Sequence, residues 1–151
     1  MKSIVKYSLV CGLLTCAASA FALQLVTDDE ALASGIAVRM QEANAGPSDP
    51  MAPQITIVNP DLAEKILKNP FRMEVLFKSS EGTAVDFKSF QALYGTFKLD
   101  ITSRLMKEAV KTTHGIKLDN VTVPSGAHRI LIRIRDSQNR LAEKEIYFKV
   151  E

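Results

Sequence analysis

His128 is the side chain whose surroundings in this 151-residue chain come nearest to a chemical site. It opens the run His128-Arg129-Ile130-Leu131-Ile132-Arg133-Ile134-Arg135, so its imidazole shares a face with three isoleucines. Paired with Asp136 or Asp86 it would be the general base of a hydrolase. A structural histidine bonded to the adjoining Pro124-Ser125-Gly126 turn explains the same position, and a single imidazole does not hold a metal. The structural role is therefore the expectation. His114 precedes Gly115 and reads as the end of a helix, where a positive ring suits the helix dipole. Joining His114 and His128 to Asp119 or Asp136 would give a zinc-like set, but no short-range ligand spacing supports one.

Asp86 and Asp100 would serve as an acid and base only if they faced one pocket in contrasting environments. Both fall at strand ends or turns, where aspartate commonly bonds to backbone. Asp49, Asp61, Asp119 and Asn120 lack the dense oxygen spacing that calcium needs. There is no Gly-x-Ser-x-Gly elbow and no phosphate-cradling glycine loop. The reading is a protein without catalytic residues, cofactor or metal.

Positive charge gathers at Arg129, Arg133, Arg135 and Arg140. A partner-binding surface would use Arg129, Arg133 and Arg135 with the loops holding Asp86 and Asp136. The competing reading is a solvated sheet face, its arginines paired across strands with Glu143 and Glu145 at about 0.2–1 kcal/mol each. Only Tyr147 interleaves with the arginines, which argues against a nucleic-acid platform.

The elements that position these residues follow period two. Ile55 and Ile57 alternate with polar neighbours, as do Phe71, Met73, Val75 and Phe77. Val85 and Phe87 look inward, then Phe90, Ala92 and Tyr94, then Phe97, Leu99 and Ile101. Ile116 and Leu118 give way to Val121 and Val123. Ala142, Ile146, Phe148 and Val150 return from a hairpin at Asp136–Arg140. Short helices are expected over Asp61–Lys68, behind Pro60, and from a Thr102 cap through Leu105, Met106 and Ala109. About seven short strands with regular turns predict an all-β, antiparallel two-sheet sandwich with one or two helical turns.

The amino end reads differently. Lys2 and Lys6 flank a positive start, an apolar run spans Tyr7 to Ala20, and Ala20-Phe21-Ala22 is a small-x-small cleavage site. That is the layout of a secretory signal over residues 1–22. It implies a periplasmic or extracellular mature chain with no stable membrane insertion after cleavage. Leu13-Leu14-Thr15-Cys16 loosely resembles a lipoprotein acylation site, with Thr15 off-pattern. Cys11 and Cys16, the only cysteines, both lie in this leader. Without Lys2 and Lys6 the chain carries 17 basic and 17 acidic residues, so it has no field to draw nucleic acid. Residues 23–52 read as an amino-terminal extension and linker, with Thr27-Asp28-Asp29-Glu30 starting a brief helix through Ala31, Leu32, Ile36 and Met40.

From Pro53 to Glu151 the turn chemistry resembles bacterial immunoglobulin-like (fibronectin type III-like) domains of exported proteins. The resemblance rests on Pro53-Gln54-Ile55-Thr56-Ile57-Val58-Asn59-Pro60, Val85-Asp86-Phe87-Lys88-Ser89, Pro124-Ser125-Gly126-Ala127-His128, and the Asp136–Arg140 hairpin. Asn139-Arg140 departs from the glycine-asparagine usual there. The resemblance implies a non-enzymatic module, binding an envelope protein or polymer or serving structurally. A carbohydrate- or peptidoglycan-binding module, using Tyr94 and Tyr147, is the alternative.

Overall fold

Alternation of apolar residues makes strands with one face to bury, and two such faces satisfy each other. In the computed structural model, which describes residues 23–33, 49–63 and 66–151, the chain forms two stacked sheets. The first holds β1 (Leu23–Gln24), β2 (Gln54–Asn59), β3 (Phe71–Lys78), β6 (Val110–Thr112) and β7 (Gly115–Thr122). Its order is β2-β3-β7, with β1 and β6 on the far side of β7. The second holds β4 (Val85–Tyr94), β5 (Leu99–Asp100), β8 (Gly126–Asp136) and β9 (Leu141–Val150) in the order β5-β4-β8-β9. Pairing is antiparallel except between β1 and β7. The result is an all-β two-sheet sandwich with two short helices among the described residues, α1 (Asp28–Ala33) and α2 (Thr102–Glu108). The leader, with Cys11 and Cys16, and the linker stretch 34–48, with Ile36 and Met40, lie outside the described residues.

The inner faces supply the core. Met73, Val75 and Phe77 of β3, Ile116, Leu118 and Val121 of β7, and Ile130, Ile132 and Ile134 of β8 are all buried. Phe77 meets Phe87 and Phe90 edge-on at centroid distances of 5.8 and 5.9 Å. Two shifts in parity are bulges. The step from Leu118 to Val121 accompanies a register shift against β3 and a left-handed Asn120, φ 57°. The step from Phe87 to Phe90 accompanies a larger shift against β8, where Asp86 faces Arg135 but Gln91 faces Arg133.

Residues 23–33, assigned above to the extension, pack on the sandwich. Leu23 and Gln24 pair with Val121 and Thr122, and Leu25 and Val26 are fully buried. Thr27 and Glu30 form a capping box: the Thr27 N–H donates to Glu30 Oε2 at 2.9 Å, and the Glu30 N–H donates to Thr27 Oγ1 at 3.3 Å. Arg104 of α2 then clasps the segment, donating to both Glu30 carboxylate oxygens at 2.8 and 3.0 Å and to the Leu25 carbonyl at 3.0 Å. The Arg104 hydrogen bond, helped by the Thr27 N–H, holds the Glu30 carboxyl down to about 2. Arg104→Ala is expected to cost about 1–2 kcal/mol, discounted because the guanidinium is partly exposed. The contribution is present above the ordinary carboxylate value and is lost as pH falls toward about 2. Urea melts of wild type and R104A at pH 7 and pH 3 check this; the gap between them narrows at pH 3.

Four expectations are corrected. Asp61–Lys68 is not helical in its described residues: Leu67 bridges Val150, its N–H donating to the Lys149 carbonyl at 2.8 Å. The adjoining Asn69 side chain exchanges two hydrogen bonds with the backbone of Val123, at 2.6 and 3.1 Å, acting as a strand partner. Thr102 does not cap α2: Ile101 holds that position, and Thr102 Oγ1 accepts the Ala92 N–H at 2.9 Å. α2 ends at Glu108, and His114 sits in the turn between β6 and β7. Phe97 lies in the turn before β5 and is 78% exposed.

Candidate functional site

The outer face of β8 presents Arg129, Leu131, Arg133 and Arg135, because the inward set begins at His128 and skips alternate residues. β9 returns with Glu143, Glu145 and Tyr147 on the same side, and the register places Arg133 opposite Glu143 and Arg129 opposite Tyr147. Arg133 pairs with Glu143 at 2.5 Å. Arg129 pairs diagonally with Glu145, whose other oxygen accepts the Tyr147 hydroxyl at 2.7 Å. The Arg129 guanidinium lies 5.8 Å from the Tyr147 ring centroid. Burial acts to raise the Glu145 carboxyl, but the bonds from Arg129 and Tyr147 outweigh it and hold it low. Arg135 donates to the Asn139 carbonyl at 3.0 Å. Arg129 and Arg133 are thus held in cross-strand ion pairs, and Arg135 is held by its own hairpin.

The two aspartates of the proposed surface both organise backbone. Asp136 is buried and holds its own hairpin: Oδ1 accepts the N–H groups of Gln138 and Arg140 at 2.9 and 3.0 Å, and Oδ2 accepts Arg140 Nε at 2.7 Å. Burial works against its charge, and these donors overcome it, so its carboxyl stays below the usual range. Asn139, φ 64°, takes a left-handed position that glycine fills most readily and asparagine also tolerates. Asp86 sits one step away, opposite Arg135. Its carboxylate accepts the Lys88 N–H at 3.0 Å. Its carbonyl accepts the Ser89 hydroxyl at 2.7 Å, and Ser89 Oγ in turn accepts the Arg135 N–H at 2.7 Å. The Val-Asp-x-x-Ser motif is therefore a plug: the bulge takes a ladder partner from Arg135, and the serine hydroxyl replaces it.

His128 is 1% exposed. Its Nε2 lies 2.8 Å from the Pro124 carbonyl, which only accepts, so Nε2 carries the proton. Nδ1 is then the acceptor, and the Tyr94 hydroxyl donates to it at 2.8 Å. The ring stacks on Phe148 at 5.3 Å. Burial lowers its tendency to protonate, only partly offset by the Pro124 bond. Asp136 lies eight residues along the same strand, about 26 Å away at the usual rise, and Asp86 is at that far end too. The structure does not bring the hydrolase set together.

Tyr94, a candidate sugar platform above, is 1% exposed, with its hydroxyl pushed up to about 12 by burial and then by the Glu30 charge. It has no face to offer a ring. Tyr147 is half-buried under Arg129. Phe97 escaped the sequence reading because it fits the period of its strand neighbours. Among the described residues, no group of three or more His, Cys, Asp and Glu side chains is placed to hold a metal, and no helix is long and apolar enough to cross a membrane.

No protein-family model matches the chain, and no curated protein matches it either.

Proposed function

We propose that this is an exported, non-enzymatic immunoglobulin-like module of the periplasm or cell exterior that binds another envelope protein or serves structurally. The observation that carries it is that the groups a hydrolase would have used are bonded to the protein itself: both His128 nitrogens, the buried Asp136 carboxylate and one oxygen of the exposed Asp86 carboxylate. What the sandwich offers outward is surface. The outer face of β8 and β9 carries Arg129, Arg133, Arg135 and Tyr147, crossed by two ion pairs, a composition suited to a polar protein interface. Export rests on the residue 1–22 leader.

The test is recovery of a cross-linked partner from periplasm by the tagged chain, against a triple variant with Arg129, Arg133 and Arg135 changed to serine. Loss of a band recovered by the wild type supports the surface. Equal recovery by the triple variant removes it. Circular dichroism and thermal melts of the triple variant separate lost binding from lost fold.

A further inference from the structure

The start of β4 borders a feature that the outer face of β8 and β9 does not use. β4 pairs with β5 only through Leu93 and Tyr94, so its first half has no strand neighbour on that side among the described residues. There a cleft of about 750 Å³ opens between the end of β3, the start of β4 and the tip of the β6–β7 hairpin. Small-molecule sites fall in this size range, roughly 300–1,000 Å³. Its floor is aromatic and aliphatic: Phe77 and Phe87 meet edge-on at 5.8 Å, with Val85 beside them. Its rim carries Lys78, His114 and the Thr113 hydroxyl, and no acidic side chain lines it. Among the described residues, no side-chain ion pair or hydrogen bond engages Lys78 or His114. This contrasts with Arg129, Arg133 and Arg140, each answered by a carboxylate.

An apolar floor under an unanswered cation defines the complementary ligand. Its body is apolar and its head is anionic. We propose that the cleft binds an amphiphilic organic anion, a carboxylate carried on an acyl or aryl body, with the head at Lys78 and His114 and the body against Phe77, Val85 and Phe87. A neutral analogue would lose the Lys78 attraction, and a cationic one would meet repulsion.

The full chain is titrated with 8-anilinonaphthalene-1-sulfonate, whose fluorescence reports occupancy of an apolar site, and the probe is displaced with dodecanoate below its micelle concentration. Dodecanol and dodecyltrimethylammonium are the matched neutral and cationic competitors. The expected result is saturable displacement at one site per chain, with dodecanoate about fivefold or more tighter than dodecanol. Lys78→Met weakens dodecanoate about fivefold and Lys78→Glu further, with His114→Ala giving a smaller loss. Lys144→Ser, on the far strand, leaves binding unchanged. Amide shifts in ¹⁵N spectra fall on Lys78, Val85, Phe87 and His114. The proposal is overturned by the absence of saturable displacement, by equal affinity for acid and alcohol, by indifference to Lys78→Glu, by shifts confined to another surface, or by binding to anionic vesicles alone. Because Lys78 and His114 are exposed, these variants keep the fold. Failure here leaves the β8–β9 surface untouched, since the two sites share no residue.

Discussion

Replacing His128 with alanine is expected to destabilise the domain by about 3 kcal/mol or more, the sum of a cavity against Phe148 and two buried polar groups left without partners. Tyr94 loses the acceptor for its hydroxyl, and the Pro124 carbonyl loses the Nε2 proton. The same ring sets an acid limit. Burial lowers the folded-state value of His128 below 6.5, so below 6.5 the unfolded chain binds a proton that the folded chain resists. The stability this residue contributes is therefore complete above pH 6.5 and declines as pH falls through that value. Protonation would also place a second N–H against the Tyr94 hydroxyl, which would then need a new acceptor in a dry core. His128→Phe keeps ring packing on Phe148 but removes the titration. Denaturant melts at pH 7.5 and pH 5.5 should show a drop for wild type that is absent in His128→Phe. An equal drop in both would assign the acid sensitivity elsewhere. The Glu30–Arg104 clasp acts in a lower window, toward about 2, so the two are separable on one titration.

Gly115→Ala should be as damaging for a different reason. A β-carbon there would lie 2.0 Å from the Val75 carbonyl oxygen, a backbone atom that moves only if β3 moves. Leu76 is the register partner of Gly115, and the Phe77 N–H donates to the His114 carbonyl at 2.6 Å, so the clash falls where the sheet is drawn tight. The cost is expected at roughly 3 kcal/mol. That corresponds to a fall in Tm of about 10 °C for a domain of this size. Gly82→Ala is the control: φ is +73°, but nothing stands within 4 Å of the added carbon, so only backbone strain of about 1 kcal/mol remains. Thermal melts of the two variants should separate by several degrees, and equal melting would contradict the close approach of β7 to β3.

These pressure points were partly legible in the residues alone. The alternating faces of β8 and β9 were plain, because a strand buried on one side must alternate and both are long. Even the bulges leave a trace, since the inward set jumps from Phe87 to Phe90 and from Leu118 to Val121. The cross-strand ion pairs followed from the same counting once the hairpin was placed. Other parts were hidden where tertiary contacts overruled local preference. Leu62, Ile66 and Leu67 have helical spacing, yet Leu67 spends its backbone on Val150. Phe97 has strand spacing but falls in a turn. The amino-terminal segment was illegible because its anchors, Val121 for Leu23 and Arg104 for Glu30, lie 98 and 74 residues away and no local pattern encodes them. The cleft needs β3, β4 and the His114 turn together, which no single stretch displays.

The parallel seam between β1 and β7 also orders events in time. A ribosome adds about 5–20 residues each second, so on the order of 5–20 s separates the making of Leu23 from that of Val121. Throughout that interval the earliest strand has nothing to lean on, and the first sheet stays incomplete. Closure of the first layer therefore waits on the arrival of Val121 and Thr122, late in synthesis.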